Sequence, residues 1–253
     1  MKRLELQLPE LNFAAEEALK RLRINIKFVS AETKAIMVTS SVPNEGKSFV
    51  SVYLWKMLAE SGVKVLYMDL DLRNSVMLKT YAADTGKRRC GLEHYLSGQK
   101  GKQDIVYETN YENAYIIPCA NILENPSNLF DDPNFPLLVQ ELREEYRYII
   151  IDTPPVINVA DSAQIASVCD GCIFVVRSGS TSRKLVQQAV RQLNDAGCAI
   201  LGTVLNRVET GSRRYGYGYG YGYGYGYGYG YGPDKDKKEA KKEKKKSKKT
   251  DTL

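Results

Sequence analysis

The sequence has little histidine and tryptophan, and its cysteines form no pairing pattern. Its 253 residues include one histidine, one tryptophan and five cysteines, the last at positions 90, 119, 169, 172 and 198. An odd number of scattered cysteines is unlike the framework of a disulfide-rich secreted domain and predicts a reducing compartment. Cys169 and Cys172 have no second ligand pair at zinc spacing, so a structural role is favoured for them. His94 lies in a short apolar segment, where packing is favoured over catalysis.

The sequence also lacks a secretory signal and an apolar run long enough to span a membrane. We therefore expect a cytoplasmic protein. Residues 233–253 hold ten lysines and five acidic residues, so they carry +5 of the net charge of +6 and leave only +1 for the rest. This distribution argues against a nucleic-acid-binding face on the body of the protein. The Lys-rich end is either attracted to anionic lipid or acidic partners, or simply keeps the preceding segment soluble.

Residues 34–59 predict a strand, a phosphate-binding loop and a helix. Residues 34–40 are apolar and β-branched, SVPNEGKS follows at residues 41–48, and a helical pattern then continues through residue 59. In the usual G-x-x-x-x-G-K-[ST] loop, backbone amides surround the phosphates, the lysine neutralises β/γ charge and the hydroxyl binds magnesium. Ser41 replaces the first glycine here. The candidate nucleotide-binding residues in this segment are Asn44, Glu45, Gly46, Lys47, Ser48 and Phe49.

Two further apolar segments end in carboxylates. Residues 63–71 end in Asp69-Leu70-Asp71, and residues 148–152 end in Asp152. In an open parallel sheet the carboxyl ends of the strands form the ligand-binding edge, so these acids are expected to converge on magnesium and the γ-phosphate near Lys47. A helix or turn cap is the alternative role for any one of them. The candidate catalytic residues are Lys47, Asp69, Asp71 and Asp152, and the candidate metal ligands are Ser48, Asp71 and Asp152.

Residues 215–232 alternate Tyr and Gly without interruption. Glycine loses the most backbone entropy on ordering, and a strand of this pattern would carry all its side chains on one face, so we expect a disordered segment. Two interpretations are open from this segment alone: a low-complexity segment for weak contacts, or a substrate. The phosphate-binding loop favours the substrate. The candidate phosphoacceptors are Tyr215, Tyr217, Tyr219, Tyr221, Tyr223, Tyr225, Tyr227, Tyr229 and Tyr231.

The order of these motifs resembles the bacterial tyrosine kinases that control capsule and exopolysaccharide synthesis. The resemblance covers residues 16–208, and its specific features are the Asp69-x-Asp71-x-Arg73 element and the tyrosine cluster. It implies a doubly wound, mostly parallel α/β sheet of the P-loop NTPase class and a kinase that uses ATP and Mg²⁺. The implied regions are 1–30 for oligomerisation, 31–212 for the kinase domain, 213–232 for autophosphorylation and 233–253 for the disordered Lys-rich end.

The resemblance also implies partners. Residues 16–25 are similar to the family's Glu-x-x-Arg-x-x-Arg oligomerisation motif, present here as Glu17, Lys20 and Arg23, with the first arginine of the motif changed to lysine. An ordinary solvated helix face is the alternative for these residues. The family further implies a ring-like homo-oligomer sensitive to phosphorylation, an adenine site near Asn206 and Arg207, and a membrane polysaccharide co-polymerase adaptor. That adaptor would recruit the kinase to the inner face of the membrane.

A second class of protein shares the phosphate-binding motifs. ParA/MinD-type ATPases are nucleotide-switched binding proteins, and they carry a signature lysine at the second position of the loop. Val42 occupies that position here, and the segment after residue 233 lacks the apolar residues of an amphipathic membrane helix. Both features favour the kinase over the switch ATPase.

Overall fold

The structure is a computed structural model that describes residues 2–84, 88–158 and 160–208. Its strands are β1 (Lys2–Leu4), β2 (Ala35–Ser40), β3 (Val65–Asp69), β4 (Tyr107–Thr109), β5 (Ala114–Ile117), β6 (Tyr148–Asp152), β7 (Gly171–Arg177) and β8 (Ile200–Asn206). Its helices are α1 (Phe13–Lys27), α2 (Lys47–Ala59), α3 (Met77–Tyr81), α4 (Leu92–Leu96), α5 (Lys102–Ile105), α6 (Ser127–Phe130), α7 (Asn134–Glu145), α8 (Asp161–Ala166) and α9 (Arg183–Asp195). The predicted regions 213–232 and 233–253 lie outside the described residues.

The strands form one sheet in the order β1-β4-β5-β3-β6-β2-β7-β8. Among the described pairs, β4 with β5 is antiparallel and the others are parallel. The central strands alternate between two cores: Ile36 and Val38 pack with α1 and α2, whereas Met37 faces the core that includes α9. Helices therefore cover both faces, and the predicted doubly wound, mostly parallel α/β fold is confirmed.

The strand expected over residues 63–71 is shorter than predicted. β3 ends at Asp69, and the Leu70 amide donates to the Asp152 carbonyl across the sheet edge. Asp71 consequently lies in the turn beyond the strand, where it is 3% exposed. By contrast, the helix expected to end at residue 59 and the strand expected over residues 148–152 have the predicted bounds.

The N-terminal residues join the sheet as well as supplying a helix. β1 pairs with β4, and α1 begins at Asn12, whose side chain accepts a hydrogen bond from the Ala15 amide at 2.9 Å. Leu19 and Ile26 are buried on the inner face of α1. β1 and α1 therefore pack against the rest of the sheet and its helices, and residues on both sides of the expected boundary near residue 30 belong to one compact unit.

Residues 74–101 contain little regular secondary structure. This segment contains α3 and α4, each only five residues long, joined by irregular backbone. Helices this short are not stable alone, so packing of residues such as Met77 and Leu92 into the two cores fixes them. Within residues 2–84, 88–158 and 160–208, no helix is both long and apolar enough to cross a membrane.

Candidate active site

The phosphate-binding loop is shaped by a residue from the far end of the sequence. Gly46 precedes α2 with φ +97°, a conformation that L side chains rarely adopt. A Cβ at this position would come within 2.0 Å of Asn206 Nδ2. The same Asn206 nitrogen donates a hydrogen bond to the Glu45 carbonyl at 2.8 Å. Asn206, predicted near the adenine, thus lies with its side chain against the loop itself.

Glu45 stabilises the loop from inside. Its side chain is 1% exposed, and Oε2 accepts a hydrogen bond from the Val42 amide at 2.9 Å. Oε1 accepts from the Arg177 amide at 3.1 Å and from the Thr181 hydroxyl. Both carboxylate oxygens are therefore engaged within the protein, so this predicted nucleotide-binding residue acts on the shape of the loop.

Lys47 and Asp71 form an ion pair at the mouth of the loop. The distance from Lys47 Nζ to Asp71 Oδ2 is 2.6 Å, and Nζ also donates to Ser48 Oγ at 3.3 Å. Burial alone would lower the pKa of Lys47, but the negative charges of Asp152 and Asp71 outweigh burial and raise it. Lys47 is therefore held as a cation beside these carboxylates.

Asp69 and Asp152 are neighbours across β3 and β6, at the last position of each strand. Asp69 Oδ2 accepts from the Ser75 hydroxyl at 2.5 Å, and Asp152 Oδ2 accepts from the Tyr67 hydroxyl at 3.1 Å. The Oδ1 atom of each is buried and has no hydrogen-bond partner among the described residues. Burial, and then the charge of Asp152, raises the pKa of Asp69 to about 8, and burial also raises the pKa of Asp152.

A cleft of about 360 Å³ opens above the loop. Of the predicted site residues, those that line this cleft are Asn44, Gly46, Lys47, Ser48, Phe49, Asp71 and Arg207. Its other lining residues are Arg73, Asn74, Val76, Thr80, Tyr81 and three prolines. Asp69 and Asp152 are buried beside it, close enough for their charges to act on Lys47. Asn44 and Arg207 have positive φ values of 65° and 55°, which marks tight backbone at opposite sides of the opening.

Two further residues act on this site and were not among the predicted ones. Arg73 lines the cleft, and its guanidinium contacts both oxygens of the fully buried Asp161, at 2.7 and 3.2 Å. Tyr67 donates to Asp152 from the adjacent strand. The sequence offered a signal for Arg73, which belongs to the Asp-x-Asp-x-Arg element. It offered none for Tyr67, because this residue lies within an apolar strand segment and no motif includes it.

The arrangement of oxygens fits a magnesium ion. Asp152 Oδ1 accepts no hydrogen bond from the described residues. The Ser48 hydroxyl and the Asp71 carboxylate lie at the same edge of the sheet. No three His, Cys, Asp or Glu side chains in the described part of the chain gather as a complete metal cage. Magnesium does not require one, because it keeps several waters and phosphate oxygens and takes only one or two carboxylates.

The predicted oligomerisation residues all lie on α1, each half-buried. Lys20 Nζ forms ion pairs with Glu16 at 2.9 Å and with Glu17 at 3.0 Å. Arg23 donates to the Met57 carbonyl of α2 at 3.4 Å. Phe13, Ile24 and Phe28 are exposed on or just beyond the same helix, with exposures of 79%, 46% and 82%. α1 thus presents apolar as well as charged groups to solvent.

The chain is similar to known proteins over most of its length. Residues 33–197 match the family described as an AAA domain. The tyrosine-protein kinase CpsD of Streptococcus agalactiae is 39% identical over 218 residues, which cover 85% of this chain and 94% of that protein. The solved kinase domain of the Escherichia coli tyrosine kinase ETK aligns with a TM-score of 0.70 and 29% identity, covering 80% of each chain.

The cell-division ATPase MinD of Pyrococcus furiosus shares the fold alone. It aligns with a TM-score of 0.56 and 23% identity, covering 68% of this chain and 71% of that one. The likeness to the kinases is therefore greater in both sequence and structure. The chain belongs to the bacterial tyrosine-protein kinases, P-loop enzymes whose nucleotide-binding domain is of the AAA type.

Proposed function

We propose that this kinase transfers the γ-phosphoryl group of Mg·ATP to tyrosines of its own C-terminal tail, mainly between subunits. The observation that carries the proposal is the Asp69–Asp152 pair, buried next to Lys47 with one free oxygen on each carboxylate. The nine tyrosines of residues 215–232 supply the acceptor in the same chain. An 18-residue Gly-rich tract has a root-mean-square span of roughly 25 Å, so it can reach a neighbouring site.

Each group has a distinct role in the proposed transfer. Lys47 and the loop amides hold the β- and γ-phosphates, and magnesium held by Ser48, Asp71 and Asp152 would neutralise the charge of the transferring group. Asp69 accepts the phenol proton. A phenol has a pKa of about 10, so a carboxylate whose pKa is raised to about 8 is better matched to it than an ordinary aspartate.

The proposed role in the cell is regulation of capsular or exopolysaccharide synthesis and chain length. It rests on the family resemblance, as do the ring-like homo-oligomer and the membrane adaptor. In this proposal the protein is cytoplasmic, and the adaptor recruits it to the inner face of the membrane and supplies a cytoplasmic segment that activates the site. Phosphorylation of the tails adds about −1.5 to −2 per tyrosine, and the resulting repulsion dissolves the ring.

Phosphotyrosine mapping tests the transfer step. The full chain is incubated with Mg·ATP, with and without the cytoplasmic segment of a candidate adaptor, and its phosphopeptides are identified by mass spectrometry. We expect label on residues 215–231 in the wild-type chain and none in Lys47→Met, whose folding is verified by its urea unfolding curve because Lys47 is paired with the buried Asp71. An active Lys47→Met protein, or label confined to tyrosines of residues 2–208, would overturn the proposal.

A further inference from the structure

A second cavity of about 810 Å³ lies beside the nucleotide cleft. Its lining includes four basic side chains, Lys79, Arg88, Arg89 and Lys100, together with Ser75 and Cys119. Ser75 and Cys119 are 8% and 4% exposed and form its floor, whereas Lys79, Arg88 and Lys100 are exposed at its rim. We call this cavity the basic pocket. No residue of the nucleotide-site motifs lines this cavity.

One short segment separates the basic pocket from the nucleotide cleft. Asn74 and Val76 line the cleft, whereas Ser75 between them lines the basic pocket. The Ser75 hydroxyl donates to Asp69 Oδ2, and the buried Asp69 Oδ1 has no partner in the described part of the chain. Asp69 is thus hydrogen-bonded to a residue that lines the basic pocket, and its second oxygen is free to accept a hydrogen bond.

The positive charge of the basic pocket is concentrated there and is not a property of the chain outside residues 233–253. The chain outside residues 233–253 carries a net charge of only +1, yet four cationic side chains line this one cavity. Among the described residues, Lys79, Arg88 and Lys100 have no carboxylate within ion-pair distance. The nearby Glu93 carboxylate contributes one negative charge: its Oε1 accepts from the Asn121 amide at 2.8 Å and contacts His94, and its buried Oε2 has no partner among the described residues. The pocket therefore has cationic capacity left for an anionic ligand.

We propose that the basic pocket binds a phosphotyrosine of a Tyr-Gly segment, which is the product of the transfer proposed above and so rests on that proposal. A phosphotyrosine offers nearly two negative charges and three acceptor oxygens to lysine and arginine. Leu78 and Ile122 provide apolar surface at the same cavity for its ring. In an extended Tyr-Gly segment, successive tyrosines lie on one face about 7 Å apart. A bound phosphotyrosine would therefore keep the next tyrosine near Asp69, and modification would proceed along one tail.

Peptide binding to an inactive full chain tests the pocket independently of catalysis. In the Lys47→Met background, fluorescence anisotropy compares a labelled Tyr-Gly heptapeptide with a central phosphotyrosine and its unmodified form. We expect the phosphopeptide to bind at least tenfold more tightly. Lys79→Ala/Arg88→Ala/Lys100→Ala should abolish that preference, and the single variant Lys100→Glu should weaken it. The matched control is Arg183→Ala/Lys184→Ala/Arg191→Ala, which removes the same charge from α9. This control should still prefer the phosphopeptide.

Three results would overturn the inference. The first is equal binding of the two peptides, and the second is phosphopeptide binding that both triple variants retain. The third is displacement of the phosphopeptide by inorganic phosphate at equal concentration, which would show a site for adventitious anions only. If the pocket variant instead loses binding to vesicles of anionic lipid while phosphopeptide binding is unchanged, the pocket serves a membrane surface and the inference also fails.

The distribution of phosphate among active chains gives a second readout. At low total incorporation, intact-mass spectra of the wild-type chain should show a few heavily modified tails beside unmodified ones. The Lys79→Ala/Arg88→Ala/Lys100→Ala chain should show the same phosphate spread over many singly modified tails. Identical distributions would contradict the inference but leave tail phosphorylation intact, whereas absence of tail label in both chains would contradict the proposed function itself.

Discussion

Asp69 and Asp152 end neighbouring parallel strands in direct register, so two carboxylates are buried side by side. Two like charges in a region of low dielectric constant cannot both ionise without a large cost. Ser75 and Tyr67 each stabilise one oxygen of the pair, and the charge of Lys47 offsets part of the repulsion. Without nucleotide and metal, the site therefore retains a proton near neutral pH, and that proton has consequences for both rate and stability.

The rate of tyrosine phosphorylation should rise with pH through about 8. The pKa of Asp69 is raised to about 8, and a general base acts only when deprotonated, so the active fraction grows as pH increases. The pKa of about 8 belongs to the nucleotide-free site, so the dependence is measured as the pH profile of kcat/KM for Mg·ATP, with an added Tyr-Gly peptide as the acceptor. Asp69→Asn should lower the rate by about 10²–10⁴-fold and remove the rise. A variant with equal losses in nucleotide binding and transfer would instead place Asp69 among the metal ligands.

The stability of the nucleotide-free protein should fall as pH rises from about 4 to 8. An ordinary aspartate in the unfolded chain has a pKa of 3.8, so between these values the folded state binds the proton that the unfolded state has released. Urea unfolding at several pH values measures the effect. Asp69→Asn cannot lose a proton, so its free energy of unfolding should change less over this range. Parallel curves for the two proteins would contradict the assignment.

Gly46→Ala should destabilise the protein more than Gly62→Ala. The new Cβ would lie 2.0 Å from Asn206 Nδ2, and the backbone has φ +97°. Gly62 has a similar φ of +85° but open space around it, so Gly62→Ala measures the backbone strain alone. We expect a loss of about 1 kcal/mol for Gly62→Ala and about 2–4 kcal/mol for Gly46→Ala, together with loss of ATP binding. Similar losses at both positions would show that the Asn206 contact is unimportant.

Transfer between subunits should be detectable by mixing two chains. One chain is truncated after residue 212 and is active; the other has an intact tail and carries Lys47→Met. We expect label in the tail of the Lys47→Met chain, because that chain cannot label itself. The truncated chain should bind ATP normally and phosphorylate an added Tyr-Gly peptide. ATP hydrolysis without any peptide labelling would instead favour a nucleotide-switched ATPase.

Removal of the predicted oligomerisation groups of α1 should reduce the size of the assembly and, in proportion, the phosphorylation of the tail. Glu17→Ala with Arg23→Ala removes two of the predicted oligomerisation groups, including the contact from Arg23 to the Met57 carbonyl. Arg21→Ala removes an exposed charge from the same helix and serves as the control. Sedimentation with the adaptor segment measures assembly, and phosphotyrosine per chain measures labelling. A smaller assembly with unchanged labelling would argue for transfer within one subunit.

Local pattern was sufficient to predict the strand, loop and helix around Lys47 and the acid-ended strand of Asp152. Their hydrophobic periodicity and spacing are properties of neighbouring residues, so no knowledge of the fold was required. The α/β class followed from the alternation of such segments. The Tyr-Gly tract was equally plain in the sequence, and its role as acceptor stays a prediction because it lies outside the described residues.

Tertiary structure alone decided how distant groups meet. The sequence placed Asp69 and Asp152 at strand ends, but only the strand order made them neighbours. Glu45 and Asn206 were assigned to the nucleotide, yet their side chains support the loop, because a buried carboxylate and amide must satisfy their hydrogen bonds inside the protein. Likewise, the cations of the basic pocket come from separate short elements with little local periodicity, and only packing of the whole chain brings them together.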